Sequence, residues 1–173
     1  MRRTLSFCAA LITAATLSLG TTGAAAPDVT SAHCAVQISP IGPTPAAEPP
    51  VCFDTQAEVD AYLTAVTAPP FARAAAGSTI LGVVYQDVNY GGGSLTMWGA
   101  GTCAAATYGF ATLDPGWTNS ISSAKGSSSC WLTLYSAASY GGDRINCTPS
   151  CASLSTMNDR SRSVVFRPVG TFG

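Results

Sequence analysis

Charge is scarce in this chain. Asp, Glu, Lys and Arg make up 10% of its 173 residues, and the formal net charge is −1. No basic stripe is available for nucleic acid, and no acidic run forms a tail. Histidine occurs once, as His33, and no CxxC pair is present, which argues against a zinc site. There is no Gly-x-Ser-x-Gly elbow, and "YGGGS" lacks the Gly-Lys-Ser/Thr end of a phosphate loop. The carboxylates Asp87, Asp114, Asp143 and Asp159 are scattered, whereas a glycosidase needs two opposed in a cleft. His33 falls in a proline-rich stretch and reads as solvated. These absences point to a protein that is not an enzyme and requires no cofactor.

The first 26 residues read as an export signal. Arg2 and Arg3 give a positive start, "FCAALITAATLSLG" a short apolar run, and "GAAAP" small residues for cleavage around Ala24 to Ala26. Nothing later approaches the length of a membrane-spanning helix. A secreted, extracellular chain with no membrane span is expected, and a monomer. Seven cysteines are present, and Cys8 leaves with the signal. The remaining even number reads as disulfides. The preferred set is Cys34–Cys52, Cys103–Cys130 and Cys147–Cys151. The first pair brackets a proline-rich stretch and the last closes a small loop.

Residues 27–78 read as a proline-rich arm, tacked down at Cys34 and Cys52. Proline density over "PDVTSAHCAVQISPIGPTPAAEPPV" argues against a regular helix or a central strand there. One short helix is predicted near 54–67. Asp54 or Thr55 caps it, and Val59, Leu63 and Val66 recur at helical spacing with Tyr62 beside them. From residue 79 to 168 the chain turns to short β-prone runs between Gly, Asn, Asp and Ser clusters. Residues 169–173 form a tail.

The β-rich part contains a repeat. "VVYQDVNYGGGSLTM" returns as "TLYSAASYGGDRINC", so Tyr85, Tyr90 and Gly92 match Tyr135, Tyr140 and Gly142 without a gap. Two imperfect copies suggest two supersecondary units sharing one core. Each first tyrosine lies in a strand, and the following residues fold back in a hairpin. Its tip needs a positive φ, which glycine takes at no steric cost. An aromatic ring over the glycine would shield the turn. Ser123 and Ser163 are placed to hydrogen-bond the hairpin backbone.

This pattern resembles the Greek-key motifs of the βγ-crystallins, which open with (Tyr/Phe/Trp)-x4-(Tyr/Phe/Trp)-x-Gly. Their later loop, (Asn/Asp)-(Asn/Asp)-x-x-(Ser/Thr)-Ser, is similar to "TNSISS" at Thr118–Ser123 and "NDRSRS" at Asn158–Ser163. The resemblance covers about residues 80 to 168. It implies an all-β sandwich of two four-stranded antiparallel Greek-key sheets, here preceded by the arm and one short helix. It also implies calcium at the polar loops, as in microbial members. Carried over by position, the carbonyl ligands are those of Ser120 and Arg160, and the fifth positions are Ser122 and Arg162. Asn119, Asn158 and Asp159 lie nearby. Thr118 departs from the first position of loop one. Arg162 replaces a hydroxyl ligand with a group that has donors only, so it disables one site and leaves Ser122 to serve a weak one. Arg162 is expected to pair with Asp159 or a carbonyl.

Three roles fit these residues. One is a structural or stress-related βγ-crystallin-like domain with degenerate calcium binding. A second is a secreted metalloprotease inhibitor, since some exported bacterial inhibitors share the fold. Their Cys-Pro-x-Gly-x-x-Cys opening is absent here, and the candidate loop is "GAGTCAAATYGFATLDPG", whose partner would be an extracellular protease. A third is a cell-wall glycan-binding module using Trp98, Tyr108, Trp117 and Trp131.

Overall fold

The computed structural model describes residues 32–42, 48–67, 78–127 and 129–173. The expected export signal and its cleavage region at Ala24 to Ala26 lie outside the described residues.

Among the described residues, ten strands and one α-helix follow the order β1 (His33–Gln37), β2 (Val51–Phe53), α1 (Gln56–Thr67), β3 (Thr79–Tyr85), β4 (Ser94–Gly99), β5 (Tyr108–Phe110), β6 (Ser123–Gly126), β7 (Cys130–Tyr135), β8 (Arg144–Cys147), β9 (Ser150–Cys151) and β10 (Ser163–Pro168). They form two sheets, β2-β1-β4-β3-β6-β9 and β5-β10-β7-β8. Within residues 79–168, each copy of the repeat keeps three strands together and lends its third strand to the other sheet. Thus β5 of the first copy pairs with β10 of the second, and β9 of the second pairs with β6 of the first. This exchange makes one core from two units, in the Greek-key sandwich that the resemblance implied.

The core lies between the sheets. Leu81, Val84, Leu95 and Met97 from one side meet Phe110, Leu132, Leu134, Val164 and Phe166 from the other, all buried. The strands alternate as half-buried sheets require: Leu132 and Leu134 point inward, and Trp131 and Arg167 sit on the opposite face at the same register. A register shift between Ile80 and Gly82 lets β3 bend over this core. A Cβ at Gly82 would strike the Phe166 ring and the Lys125 carbonyl, so the close crossing there needs glycine.

The expected sheet size is exceeded on one side. Four strands per sheet describe residues 79–168, but β1 and β2 extend the first sheet to six. The expectation of no central strand before residue 51 is therefore corrected. Strand β1 lies between β2 and β4, paired in parallel to β4 from His33↔Ser94 to Gln37↔Trp98. The physical reason is local. "HCAVQ" holds no proline, and the first proline after it is Pro40, past the ladder. Cys34, Val36 and Ile38 are each at most 2% exposed and belong to the main core.

The same segment continues onto the second sheet. Ile38 N donates to Trp98 O at 2.8 Å, Ile41 N donates to Thr107 O at 2.8 Å, and Ser39 O accepts from Gly109 N at 3.4 Å. Residues 33–41 therefore close the β4 edge of one sheet and the β5 edge of the other. Helix α1 covers the outer face nearby, with Val59 and Leu63 against Ala35 and Trp98. Thr55 opens the helix with a capping box. Its hydroxyl accepts from Glu58 N at 3.3 Å, and Glu58 Oε2 accepts from Thr55 N at 3.0 Å. Val66, placed on the buried face by spacing, is instead 40% exposed.

All three disulfides match the preferred set. Cys34–Cys52 joins residues directly opposite in β1 and β2, Cys103–Cys130 ties the approach to β5 to the start of β7, and Cys147–Cys151 links β8 to β9 across the two sheets. Such bridges persist in oxidising compartments. No helix among the described residues is long and apolar enough to cross a membrane.

If residues 33–41 are part of the core, Ile38→Ala lowers unfolding stability by about 2–5 kcal/mol in urea titration. Ile41→Ala, at a side chain 48% exposed, changes it by less than about 0.5 kcal/mol. Equal effects of the two would return the segment to a loose arm.

Candidate functional site

Two folded hairpins and two polar loops meet at one end of the sandwich. In the first hairpin, Asn89, Tyr90 and Gly92 all take positive φ, at 57°, 65° and 68°. The second repeats this at Ser139, Tyr140 and Gly142, at 54°, 63° and 78°. The turn therefore places a tyrosine as well as a glycine in the left-handed region, where side chains are disfavoured. The tyrosine rings pack edge-on against each other, Tyr85 on Tyr90 at 5.7 Å and Tyr135 on Tyr140 at 6.1 Å. A Cβ at Gly92 would meet the Asp87 carboxylate and one at Gly142 the Ser136 hydroxyl. Lys125 Nζ sits 3.9 Å from the Tyr90 ring centroid, a cation–π contact with no counterpart at Val165.

Each hairpin is bridged by one serine. Ser123 Oγ accepts from Tyr90 N at 2.9 Å and donates to Asp87 O at 2.6 Å. Ser163 Oγ accepts from Tyr140 N at 3.0 Å and donates to Ala137 O at 2.7 Å. Both serines are fully buried.

The residue before each serine is the fifth position of a polar loop, and its backbone is held at both ends. Ser122 N donates to Tyr85 O at 2.9 Å, and Ser122 O accepts from Leu154 N at 2.9 Å. Arg162 N donates to Tyr135 O at 2.8 Å, and Arg162 O accepts from Leu113 N at 2.9 Å. The loops also bind one another: Asn119 N donates to Ser161 O at 2.9 Å, and Asp159 N donates to Ile121 O at 3.0 Å. The backbone is thus nearly two-fold symmetric, while the side chains are not.

On one side, Ser122 Oγ donates to Asp159 Oδ1 at 3.0 Å, and Asn158 Nδ2 donates to Asp159 Oδ2 at 2.7 Å. The Asn158 Oδ1 atom is buried without a partner. A hydroxyl, a carboxylate and an orphaned amide oxygen are a hard-oxygen donor set, the kind calcium takes. On the other side, Arg162 Nε donates to Asn119 Oδ1 at 3.4 Å. The expected partner of Arg162 was Asp159 or a carbonyl. It is Asn119, the counterpart of Asp159 under the pseudo-two-fold, since each fifth position meets the second position of the other loop. A guanidinium offers no acceptor, so the Asn119 side does not fit a cation.

Other loop residues have separate work. Thr118 Oγ1 donates to Leu113 O at 2.7 Å and Ser120 Oγ donates to Gly116 O at 3.1 Å, so both side chains brace their own loop. Arg160 forms a salt bridge to Asp143 at 2.7 Å, its side chain 49% exposed and that of Asp143 70%. Such a pair contributes little to stability. Sequence reading missed this partner, and it also missed the Asp114 Oδ2 and Ser161 Oγ atoms, buried without partners. Nothing in the spacing of those residues signals it.

His33 is not simply solvated. It is half-buried with Nδ1 2.8 Å from Ser94 Oγ, which donates to Gln56 Oε1 at 2.6 Å, while Gln56 Nε2 donates to Asp60 Oδ1 at 3.0 Å. The chain of bonds joins β1, β4 and α1. Among the aromatics suggested for glycan contact, Trp98, Tyr108 and Trp117 are each at most 8% exposed and packed in the core. Trp131 lies half-buried against Phe172, with ring centroids 5.3 Å apart. The stretch proposed as an inhibitory loop is anchored in the core at Cys103, Tyr108, Phe110 and Leu113, which are buried, and Tyr108–Phe110 is strand β5, while Thr102, Ala104, Ala105 and Thr112 are exposed.

No family model matches this chain, and no curated protein matches it. Solved structures similar to it are βγ-crystallin domains. One from Clostridium beijerinckii shows 18% identity over 50% of this chain and 97% of its own, with a TM-score of 0.41. One from Flavobacterium johnsoniae shows 23% identity over 53% of this chain and 99% of its own, with a TM-score of 0.38. One from an archaeon shows 24% identity over 53% of this chain and 99% of its own, with a TM-score of 0.38. The architecture itself stands on the strand order given above.

Ser123→Ala and Ser163→Ala each leave a backbone N–H and a carbonyl of the hairpin without a partner. Each variant should lose about 1–3 kcal/mol in denaturant titration, and parent-like stability would remove the bridge as a constraint. The tyrosines give a pH prediction. Burial raises the Tyr85, Tyr108 and Tyr140 phenols above their usual 10.0, with a smaller push from Tyr90 on Tyr85 and from Tyr135 on Tyr140. A raised folded value favours the protonated form. Stability from these groups is complete below pH 10 and is lost as pH rises through the folded values. Phenolate absorbance should show ionisation of these three extending above pH 10, and a titration already complete at the value of free tyrosine would contradict it.

Proposed function

We propose that this chain is an exported, non-enzymatic βγ-crystallin-like protein with a structural or stress-protective role. It keeps one weak calcium position, at Ser122, Asn158 and Asp159, and has lost the other to Arg162. The observation that carries this reading is the asymmetry of the two loops. Ser122 meets a carboxylate where Arg162 meets only the Asn119 amide. Three disulfides support an oxidising destination. When bound, calcium would supply a divalent charge for which the Asp159 carboxylate and the Ser122 hydroxyl compete with water.

Calorimetric titration of the mature protein with calcium tests it. One ion should bind with a dissociation constant of about 0.1–1 mM, the range of extracellular modules. Saturating calcium should raise the melting temperature by mass action. Asp159→Ala should abolish both effects, and Arg162→Ser should add a second ion. Identical melting curves of the parent in calcium and in chelator, with no heat of binding, would remove the calcium position. A second ion bound by the parent would show that Arg162 disables nothing.

A further inference from the structure

Residues 32–42 and 48–67 form a unit that the sandwich needs but does not hold covalently, except through one connection. Cys34, Val36 and Ile38 complete the inter-sheet core, and β1 occupies the otherwise open edge of β4 through five paired residues. Ser94 of the sandwich is held between His33 and Gln56 of the unit. Yet the disulfide Cys34–Cys52 closes within the unit, and Cys103–Cys130 and Cys147–Cys151 close within the sandwich. No bridge specifies which copy of the chain supplies β1.

The one connection is residues 68–77. Thr67 and Ser78, on either side of it, line the same groove beside α1. Ten residues span at most about 33–36 Å. That length permits the unit to reach a neighbouring molecule, and exchange of an identical element between protomers is a low-cost route to dimers. We propose that the β4–β5 edge is a strand-acceptor surface whose alternative occupant is residues 33–41 of a second copy of this chain. Every contact of the exchanged form is already present in the monomer, so the two forms differ by the connection and by concentration. Docking within one chain dominates in dilute solution, and exchange competes once protein approaches the effective concentration of the tethered unit, about 1 mM.

The test uses the mature chain, partly unfolded in guanidinium without reductant and refolded at about 1 mM, the scale of that effective concentration. Light scattering after size exclusion should show a dimer that persists on dilution, alongside monomer. Refolding at a hundredfold lower concentration should give monomer. A covalent arm identifies the contact. Ala35 and Thr96 are direct partners across β1 and β4. One pool carries Ala35→Cys and the other Thr96→Cys, and the two are refolded together and oxidised. Exchange predicts a disulfide-linked heterodimer joined at these positions. The double variant at low concentration should instead close the bridge within one chain. Monomer alone from the unaltered chain at about 1 mM overturns the proposal, whatever the variants do. A dimer that forms without the engineered link between Ala35→Cys and Thr96→Cys, while the double variant closes within one chain, also overturns it.

Discussion

Two buried serine hydroxyls hold the rest of this structure in place. Each spends its one proton and accepts one bond to bridge the two ends of a hairpin whose middle residues would not otherwise stay left-handed. Tyr90 and Tyr140 adopt positive φ as bulky residues, a conformation that persists only when the surroundings over-determine it. The serine does that, and the packed tyrosine pair does the rest. Because each serine begins a strand, β6 or β10, the hairpin is also nailed to the sheet. The residue just before it, Ser122 or Arg162, is thereby delivered to the end of the sandwich. Fold and site are consequences of the same hydroxyl.

A sandwich of two Greek keys still leaves open edges, and a bare edge is a template for wrong pairing. Here one segment covers two of them. Strand β1 pairs with β4, and the chain then steps through Ile38, buried between the sheets, to reach β5. Prolines follow where the ladder ends, so Pro40 forms a single bridge to Tyr108 and does not extend it. The parallel direction of β1 follows from its source outside the repeat, since hairpin-linked neighbours would run antiparallel.

Much of this was legible in the sequence for identifiable reasons. The repeat carries its own register, because Tyr-x4-Tyr-x-Gly is a local constraint and both copies satisfy it locally. The helix was legible from Thr55 and Val59, also within one turn of each other. Disulfides followed from loop sense within an even set of cysteines. What was not legible depends on partners far along the chain. "HCAVQ" is too short to announce itself, and its strand character comes from Leu95 and Met97, some sixty residues away in pairing. The partner of Arg162 depends on Asn119, in the other copy. Composition around a strand misled as well: prolines near it were read as prolines in it. The buried places of Trp98 and Trp117 could not be told from exposed ones, because an aromatic side chain suits both a core and a binding face.

The site asymmetry is finer than the fold asymmetry, and its scale can be judged. Backbone anchors on Ser122 and Arg162 are matched bond for bond, so the difference is one side chain. The bond from Arg162 to Asn119 is long, at 3.4 Å, and exposed. A bond that long and exposed, to a neutral amide, is a weak reason for an arginine to be held there. Its effect on a cation is larger. A divalent ion about 4 Å from a guanidinium is opposed by about 2 kcal/mol even at the dielectric of water, and by more beside a protein surface. In the proposed reading the arginine therefore matters less for what it binds than for what it keeps out, and the opposite half, where Asp159 faces Ser122, carries no such tethered guanidinium.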